Sequence, residues 1–337
     1  MLLKDLGEDH IVKQLACRLG QKHPRLIKGI GDDTSVTVQR TGRALLSTTD
    51  TLIEGVHFSL SYAPARLIGR KSLSISVSDI AAMGGVPLFG LVSIAMPGRT
   101  EKRFLDELYK GLQDVARSSK LVIVGGNTAR FEGAVIVSTT VIGEAPGKMI
   151  VYRSGARPGD IIYVTGTLGD SALGLRVLQE RGIGALKSRL KKAVIRHLDP
   201  QPRLAAGVGL STARLASAMI DVSDGLLLDL KRLCEASAVS AVVELSRVPV
   251  SRTLEDYCGK EGLDGAQFSL SGGEDYELLF TSPPSAAKAI ERLSKRLKLN
   301  MTPIGKIAQP TKKGSRLRVL DKDGASLKIT RIGFEHF

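Results

Sequence analysis

Strand-type apolar runs alternate with amphipathic helical patterns along most of the chain, and a single break divides this alternation. The break is EAPGKMIVYRSGARPGD (144–160), which is rich in Gly, Pro and charge and is followed by a new strand pattern, IIYVTG. Each side of the break therefore begins its own sheet. A chain of 337 residues is long enough for two domains. We predict an α/β (α+β) protein with domains at 1–148 and 149–337.

Individual elements follow from the period of the apolar residues. Between 101 and 118, apolar side chains recur at spacings of three and four, which is typical of an amphipathic helix. The predicted strands are 44–49, 89–96, 121–125, 134–143, 160–165, 218–222, 241–246, 275–281 and 316–320. The predicted helices are 8–19, 64–83, 101–118, 169–181, 201–216, 225–237 and 284–297.

Composition narrows the class of partner. The formal net charge is +14, but the basic residues are scattered, no aromatics interleave with them, and no nucleic-acid-binding motif is present. A solvated basic face is therefore favoured, with attraction of small anions as a further possibility. No apolar run approaches the ~18 residues of a membrane span, and the N-terminal segment has no apolar signal core. We expect neither nucleic acid nor a membrane as partner.

The three cysteines, Cys17, Cys234 and Cys258, show no CxxC spacing. That usage argues against a zinc site or a disulfide framework and favours a reducing compartment. We therefore predict a cytoplasmic protein.

Aspartates recur in short segments rich in Gly, Ser and Thr. The segments are GIGDDTSV (29–36), STTDT (47–51), SVSDIAAMGG (76–85) and IDVSDG (220–225). Singly, each has an ordinary explanation: a hairpin turn, an Asx turn at a strand end, or a helix N-cap at Ser78 or Asp79 and at Ser223 or Asp224. Together the segments contain more acidic residues than turns and helix caps require.

Two carboxylates about 4 Å apart repel by roughly 4 kcal/mol at an effective dielectric near 20, so convergence of these aspartates would need a cation between them. Oxygen ligands from Asp and Thr suit Mg²⁺.

Other segments favour phosphate chemistry without proving it. LVIVGGNTAR reads as a buried strand ending at Gly125-Gly126, which is either a plain turn or a place where phosphate approaches the backbone. It lacks the GK[ST] ending of a Walker A motif.

No Ser-His-Asp or Cys-His arrangement is evident, so we assign no covalent or general-base residue. His57 alone is more typical of a structural histidine, and Glu274 in SGGEDYELLF either enters a hairpin or holds a cationic or amide group. Acids with Gly-rich loops suit metal-assisted phosphoryl transfer.

In this order and at these spacings the motifs resemble those of thiamine-monophosphate kinase, within the superfamily of aminoimidazole-ribotide synthetase and selenophosphate synthetase. The similarity covers essentially the whole chain. It is carried by GIGDDTSV, STTDTLIEGVHF, SVSDIAAMGG, VGGNTAR, YRSGARPGD, IYVTGTLGDSALGL, IDVSDGLLLDL, SGGEDYELLF, PIGKI and GFEHF. The resemblance implies an N-terminal αβ domain that dimerises through its sheet and a C-terminal αβ domain, with ATP near the dimer interface. It implies direct transfer of the ATP γ-phosphoryl group to thiamine monophosphate, giving thiamine diphosphate, the last step of that biosynthesis.

The resemblance also implies roles for particular residues. Ligands for several Mg²⁺ ions would be Asp33, Thr48, Thr49, Asp50, Asp79, Asn127, Asp221 and Asp224. Contacts to ATP would come from Gly126, Arg153 and Ser223. Contacts to the thiamine substrate would come from His57, Glu274 and Phe334. Asn127 departs from the family, which commonly has Asp there: Asn keeps an oxygen ligand but removes a charge.

Two alternatives stay open. The first is another ATP-dependent enzyme of the superfamily. Selenophosphate synthetase would require a reactive cysteine in an N-terminal Gly-rich loop, whereas Cys17 lies in a helical pattern. The hydrogenase-maturation protein would require a C-terminal cysteine, whereas this sequence ends in Phe337. The second alternative is a non-catalytic paralogue that binds ATP or thiamine phosphates, which only Asn127 favours.

Overall fold

Two mixed six-stranded sheets organise the chain in a computed structural model that describes residues 26–28, 32–38, 42–310 and 316–335. The first sheet contains β1 (Leu26–Lys28), β2 (Ser35–Val38), β3 (Arg43–Ile53), β4 (Val86–Met96), β5 (Val122–Arg130) and β6 (Ile136–Pro146). The second contains β7 (Ile161–Thr165), β8 (Ala218–Asp221), β9 (Ser240–Glu244), β10 (Leu278–Ser282), β11 (Met301–Ala308) and β12 (Leu317–Leu320). Each sheet therefore forms on its own side of the Gly/Pro-rich break.

The helices of the described residues are distributed between and over these sheets. They are α1 (Ala65–Ala82), α2 (Lys102–Ser119), α3 (Asp170–Arg181), α4 (Lys191–Leu198), α5 (Leu204–Thr212), α6 (Leu226–Ser237), α7 (Arg252–Glu261), α8 (Gly265–Ser271) and α9 (Ala287–Leu297). No helix among these is both long and apolar enough to cross a bilayer.

The first sheet has the strand order β1-β2-β3-β6-β4-β5, antiparallel except for the β4–β5 pair. One face is covered by α1 and α2, and its core includes Leu46 of β3, Leu73 of α1 and Leu108 of α2, which are fully buried. Full burial of a side chain of this size contributes about 1.5–3 kcal/mol. The covered face therefore supplies most of the apolar core of this part of the chain.

In the part of the chain that the structure describes, the opposite face of the first sheet is uncovered around β4 and β5. Phe89 lies directly opposite Val122, so both side chains project from the same face of the sheet. Large apolar side chains exposed on these two strands are Val86, Phe89, Leu91, Val122 and Val124. A contiguous apolar patch of this kind is typical of a protein-interaction surface.

The second sheet has the order β12-β9-β11-β7-β10-β8. It docks on the first domain through α1, which contacts α5 and β8. Close approach at this interface depends on Gly207 of α5, because a Cβ there would lie 2.0 Å from the carbonyl oxygen of Ala81. The end of α1 is therefore fixed directly against the second domain.

The structure confirms most predicted elements and corrects several. The helix at 64–83 is present as one continuous helix, α1, so the N-cap at Ser78 or Asp79 is wrong. The strand at 275–281 begins only at Leu278, because Glu274 and Tyr276 have positive φ and cannot extend the ladder. The helix at 201–216 is limited to Leu204–Thr212. The predicted helix at 8–19 lies outside the described residues.

Several elements were not anticipated from the sequence. They are β1, β2, β11, α4, α7 and α8. Pro303 and Gly305 interrupt the strand signal of β11, and the structure accommodates both with a register shift between them.

Candidate active site

Three aspartates from three distant segments converge between the two domains. Carboxylate oxygens of Asp33, Asp79 and Asp221 all lie within 4.8 Å of one another. Asp33 precedes β2, Asp79 lies near the end of α1, and Asp221 is the last residue of β8. The first domain therefore provides two of these carboxylates and the second domain provides one.

Hydroxyl groups beside these acids fix the carboxylate orientations. Thr48 Oγ1 donates to Asp79 Oδ2 at 2.5 Å, and Ser78 Oγ donates to Asp221 Oδ2 at 2.6 Å. A third donor, Ser76 Oγ, lies 2.9 Å from Asp50 Oδ2. The bond between Ser78 and Asp221 joins α1 to the second domain. The serines of SVSD, which are unusual inside a helix, are thus donors to the acidic site.

The electrostatic environment of the cluster disfavours negative charge. Burial, followed by the carboxylates of Asp50, Asp221 and Asp33, raises the pKa of Asp79 well above its usual value. Burial, followed by Asp33, likewise raises the pKa of Asp221 well above its usual value. Burial raises the pKa of Asp50 to about 6, although the Ser76 hydrogen bond acts against this. Carboxylates with such neighbours require protons or an added cation.

Arg153 is the cation nearest to this cluster in the described structure. Its guanidinium makes a two-point contact with Asp33, with Nε 2.9 Å from Oδ2 and Nη2 3.0 Å from Oδ1. Asp32 orders the same loop, because its Oδ1 accepts from the backbone N–H of Asp33 at 3.1 Å and of Arg153 at 3.2 Å. Asp33 and Arg153, predicted to contact different ligands, thus contact each other here.

The turn before α6 holds Ser223 and Asp224 through a residue that the sequence reading missed. Asp229 Oδ2 accepts from the backbone N–H groups of Ser223, Asp224 and Gly225 at 3.1, 3.0 and 3.2 Å. The predicted cap at Ser223 or Asp224 is therefore wrong, since the N-cap residue is Gly225 and a carboxylate inside the helix satisfies these donors. Arg232 Nη1 lies 2.5 Å from Asp224 Oδ2.

The predicted substrate residues lie next to this turn. The backbone N–H of Glu274 donates to the Ser223 carbonyl at 2.6 Å, and the backbone N–H of Phe334 donates to the Asp224 carbonyl at 3.0 Å. His57 is connected to Glu274 through Lys71, whose Nζ lies 2.6 Å from Glu274 Oε1 and 3.3 Å from the His57 carbonyl oxygen. Substrate and metal candidates thus occupy one continuous region.

Thr49 is not brought into the cluster through its hydroxyl. Thr48 and Asp50 face α1, whereas successive side chains of a strand alternate between faces. Thr49 Oγ1 instead lies 2.9 Å from Thr140 Oγ1 on β6.

Gly126 and Asn127 lie on the edge strand β5, three strands away from β3, which is about 14 Å at the usual strand spacing. The register places Asn127 in one row with Ser93, Ser138 and Thr51, so its side chain projects from the uncovered face. Gly126 allows close strand contact, since a Cβ there would lie 1.8 Å from the Val92 carbonyl oxygen. Within one described chain, neither residue joins the carboxylates.

Lys71 is the most informative residue that the sequence reading missed. Lysine in a helix is usually exposed, yet this side chain is only 2% exposed. The sequence does contain a signal for the burial of Lys71, because Ile68 and Ile75 lie three and four residues away on the same buried side of α1. Asp229 offered no comparable signal, since Asp in the first turn of a helix is ordinary.

Comparison with known proteins matches both halves of the chain. The family model "AIR synthase related protein, N-terminal domain" matches residues 31–145, and its C-terminal counterpart matches residues 157–318. The two αβ domains with acids converging between them thus define a protein of the AIR synthase related class.

Full-length relatives narrow this class. The chain is 35% identical to thiamine-monophosphate kinase of Bacillus subtilis (strain 168), over 94% of this chain and 95% of that protein. It is also 35% identical to thiamine-monophosphate kinase of Aquifex aeolicus (strain VF5), over the full length of both. A solved structure of AaThiL complexed with AMPPCP and TMP superposes with a TM-score of 0.84 at 34% identity, covering 100% of this chain and 99% of that one. The chain belongs to the thiamine-monophosphate kinase family.

Proposed function

We propose that this protein transfers the γ-phosphoryl group of ATP directly to thiamine monophosphate, giving thiamine diphosphate. The observation that carries the proposal is the convergence of Asp33, Asp79 and Asp221 from two domains beside the residues expected to hold the substrate. Family membership over the full length supports the same reaction, and the related AaThiL is complexed with AMPPCP and TMP.

The donor set fits divalent magnesium. Asp79 and Asp221 are buried or half-buried, face other carboxylates and have raised pKa values, which is the environment that a bound cation would relieve. Asp33, Asp50, Asp79, Asp221 and Asp224 would hold the ions, with Thr48 available as a neutral oxygen. When bound, Mg²⁺ neutralises phosphate charge, which otherwise opposes the approach of one phosphate to another.

The protein's own groups then have to orient two anions. Arg153 carries a partly buried guanidinium beside Asp33 and is available to a nucleotide phosphate if a cation takes over that carboxylate. Glu274, His57 and Phe334 would hold the other end of the acceptor. An acceptor that is already an anionic phosphate requires little general-base assistance, so we propose no general base.

We also propose a homodimer formed through the uncovered face of β4 and β5. The exposed pair Phe89 and Val122 supports this surface, and the row containing Asn127 projects from the same face. We expect Phe89→Lys to lower the molecular mass measured by sedimentation. An unchanged mass, at concentrations where the wild type is dimeric, would exclude this surface.

We further propose that the domain division lies at 148/149, in the segment between β6 and β7. The protein would work in the cytoplasm, where ATP and thiamine phosphates are available. Fractionation of cells that express the protein would test its location.

The decisive assay combines ATP, thiamine monophosphate and Mg²⁺ and measures thiamine diphosphate. Product formation by the wild type, and its loss in Asp50→Ala, would support the kinase. Nucleotide binding with no product would instead indicate the non-catalytic paralogue. Asn127→Asp then tests the one departure from the family: a gain of product in this variant alone would place the defect at that residue.

A further inference from the structure

Lys71 carries a buried charge at the junction of the two domains. Its side chain, on α1, is 2% exposed, and its ammonium contacts Glu274 from the second domain at 2.6 Å. The same ammonium donates to the backbone carbonyl of His57, in the first domain, at 3.3 Å. One cation thus joins two segments that are both expected to contact the thiamine substrate.

Stability alone does not account for such a charge. Transfer of an ammonium group from water into the protein costs several kcal/mol, and a buried ion pair is often no more stable than apolar side chains of similar volume. A Met or Leu at position 71 would fill the same space beside Ile68 and Ile75 without that cost. The charge is therefore better explained by the orientation of its partners than by the energy of folding.

Lys71 makes the largest contribution among the groups that lower the pKa of Glu274. Burial acts to raise the pKa of Glu274, but the Lys71 ammonium, together with His197 and His57, lowers the pKa of Glu274 on balance. His197 Nδ1 lies 3.2 Å from Glu274 Oε2, but burial and the proximity of Lys71 lower the pKa of His197 to about 3, so this imidazole is neutral. The Lys71 ammonium therefore provides a full positive charge in contact with the Glu274 carboxylate.

The geometry of Glu274 is restricted from the backbone as well. Its φ is +66°, in the left-handed region that non-Gly residues adopt rarely, and its N–H is bonded to Ser223. The backbone fixes where the side chain begins, and the ammonium and the imidazole fix where the carboxylate ends. A carboxylate held in this way meets a ligand without first losing rotamer freedom.

We propose that Lys71 is a positioning residue that sets the specificity for the acceptor substrate, by holding the Glu274 carboxylate and the His57 backbone in one arrangement. This inference rests on the proposed kinase activity. Lys71 acts through Glu274 and His57, so the residue determines how tightly the acceptor is bound, while nucleotide binding at the carboxylate cluster is left unchanged.

The test separates the two substrates kinetically. In Lys71→Met we expect KM for thiamine monophosphate to rise about 30-fold or more, because one partner of a buried charge pair is removed, while KM for ATP stays within about twofold. Equilibrium binding of thiamine monophosphate, measured by calorimetry, should weaken by the same factor. Equal losses for both substrates would overturn the inference.

Arg70→Met is the matched control. Arg70 is adjacent on α1 and also forms an ion pair across the domain junction, with Nε 2.7 Å from Asp199 Oδ1. This variant should lose stability without a selective rise in KM for the acceptor. A selective rise equal to that of Lys71→Met would show that any broken ion pair at the junction has this effect, and would overturn the inference.

A second pair of variants keeps the test valid if Lys71→Met folds poorly. Glu274→Gln should raise the same KM, and Lys71→Arg, which retains the charge, should recover part of the wild-type value. In the double variant Lys71→Met, Glu274→Gln the losses should be less than multiplicative, because Lys71 acts through Glu274. Fully multiplicative losses, or no recovery in Lys71→Arg, would contradict the proposed role.

Measurements on the wild-type protein distinguish failure of the proposed function from failure of the proposed role of Lys71. If it forms thiamine diphosphate and Lys71→Met has an unchanged KM for the acceptor, only the role of Lys71 is wrong. If the wild type neither binds nor phosphorylates thiamine monophosphate, the proposed function is wrong and the role of Lys71 is wrong with it.

Discussion

Glu277, directly before β10, and Asp221, at the end of β8, are both almost completely buried, at 0% and 3% exposure, but their surroundings are opposite. Arg196 and Arg203 both pair with Glu277, and Thr165 Oγ1 donates to it at 2.6 Å. Asp221 instead faces Asp33 and Asp79, and among the described residues its hydroxyl donor is Ser78.

The difference separates two uses of a buried acid. Glu277 has its counter-charge built into the protein, so it is complete without a ligand and is expected to be structural. Asp221 has like charges beside it, and the nearest cation, Arg153, forms its hydrogen bonds with Asp33, so we expect an added cation to complete the site. Degree of burial does not distinguish the two cases, whereas the charge of the nearest neighbours does.

The largest expected effect is on turnover. Asp221→Asn should lower kcat by about a thousandfold or more, which corresponds to about 4 kcal/mol of activation free energy, because a charged ligand oxygen at the proposed metal site is lost. Thermal unfolding without Mg²⁺ should be unchanged or shifted upward, since repulsion in the cluster is relieved. Asp160→Asn is the control: this buried Asp, bonded to Ser217 Oγ at 2.6 Å, lies outside the cluster and should leave kcat nearly unchanged.

Glu277→Gln should show the reverse pattern to Asp221→Asn, with a loss of stability rather than a loss of turnover. We expect a loss of about 3 kcal/mol in the free energy of unfolding, at the low end for a broken buried ion pair because both arginines keep about a fifth of their exposure. Denaturant titration gives the value. If Glu277→Gln proved as stable as the wild type while inactive when folded, the separation of the two acids would be wrong.

Mg²⁺ should stabilise the wild-type protein, by about 2.7 kcal/mol at a concentration one hundred times its dissociation constant. Calorimetric unfolding with and without Mg²⁺ measures the shift. Glu277→Gln should retain the full increment above its own baseline, and Asp221→Asn should lose most of it. Equal increments in both variants would mean that the ion binds elsewhere.

The smallest effect is a pH dependence that arises from His197. Its folded-state pKa is about 3, below the ordinary 6.5, so its contribution to stability is fully present above pH 6.5 and is lost as the pH falls towards 3. One such group gives a slope of up to about 1.4 kcal/mol per pH unit. The stability difference between wild type and His197→Asn should therefore narrow from pH 7 to pH 5 in Mg²⁺-free urea titrations. Parallel stability curves would show that His197 is not buried in its neutral form.

Local patterns predicted most of the fold because they report local physics. The helix over 64–83 follows from its apolar spacing, and the structure gives Ala65–Ala82. The beginning of β10 could not be predicted, since nothing in GGEDYELL indicates that Glu274 and Tyr276 adopt positive φ. Such conformations are imposed by contacts that are distant in sequence, here with Ser223 and Val222.

The residues around each acid identified it as a candidate for the site, but the sequence could not show how the acids are arranged relative to one another. Asp50 and Asp79 stand out because Gly, Ser and Thr surround them. The position of Thr49 could have been predicted from the sequence. Side chains alternate along a strand, so Thr48 and Asp50 share one face of the sheet and Thr49 lies on the other. The bond from Ser78 to Asp221 joins residues 143 positions apart, so that contact appears only after the two sheets dock.

Helix α1 carries Lys71 at one level and Asp79 two turns later, and both side chains reach partners in the site. Eight residues of α-helix rise by about 12 Å. The helix would therefore set the spacing between Glu274, which we propose holds one end of the acceptor, and the acids proposed to act at the other end. A molecule with its phosphate at the acids and its far end at Glu274 would have to bridge a separation of this order, and a shorter phosphate would contact only one of the two ends.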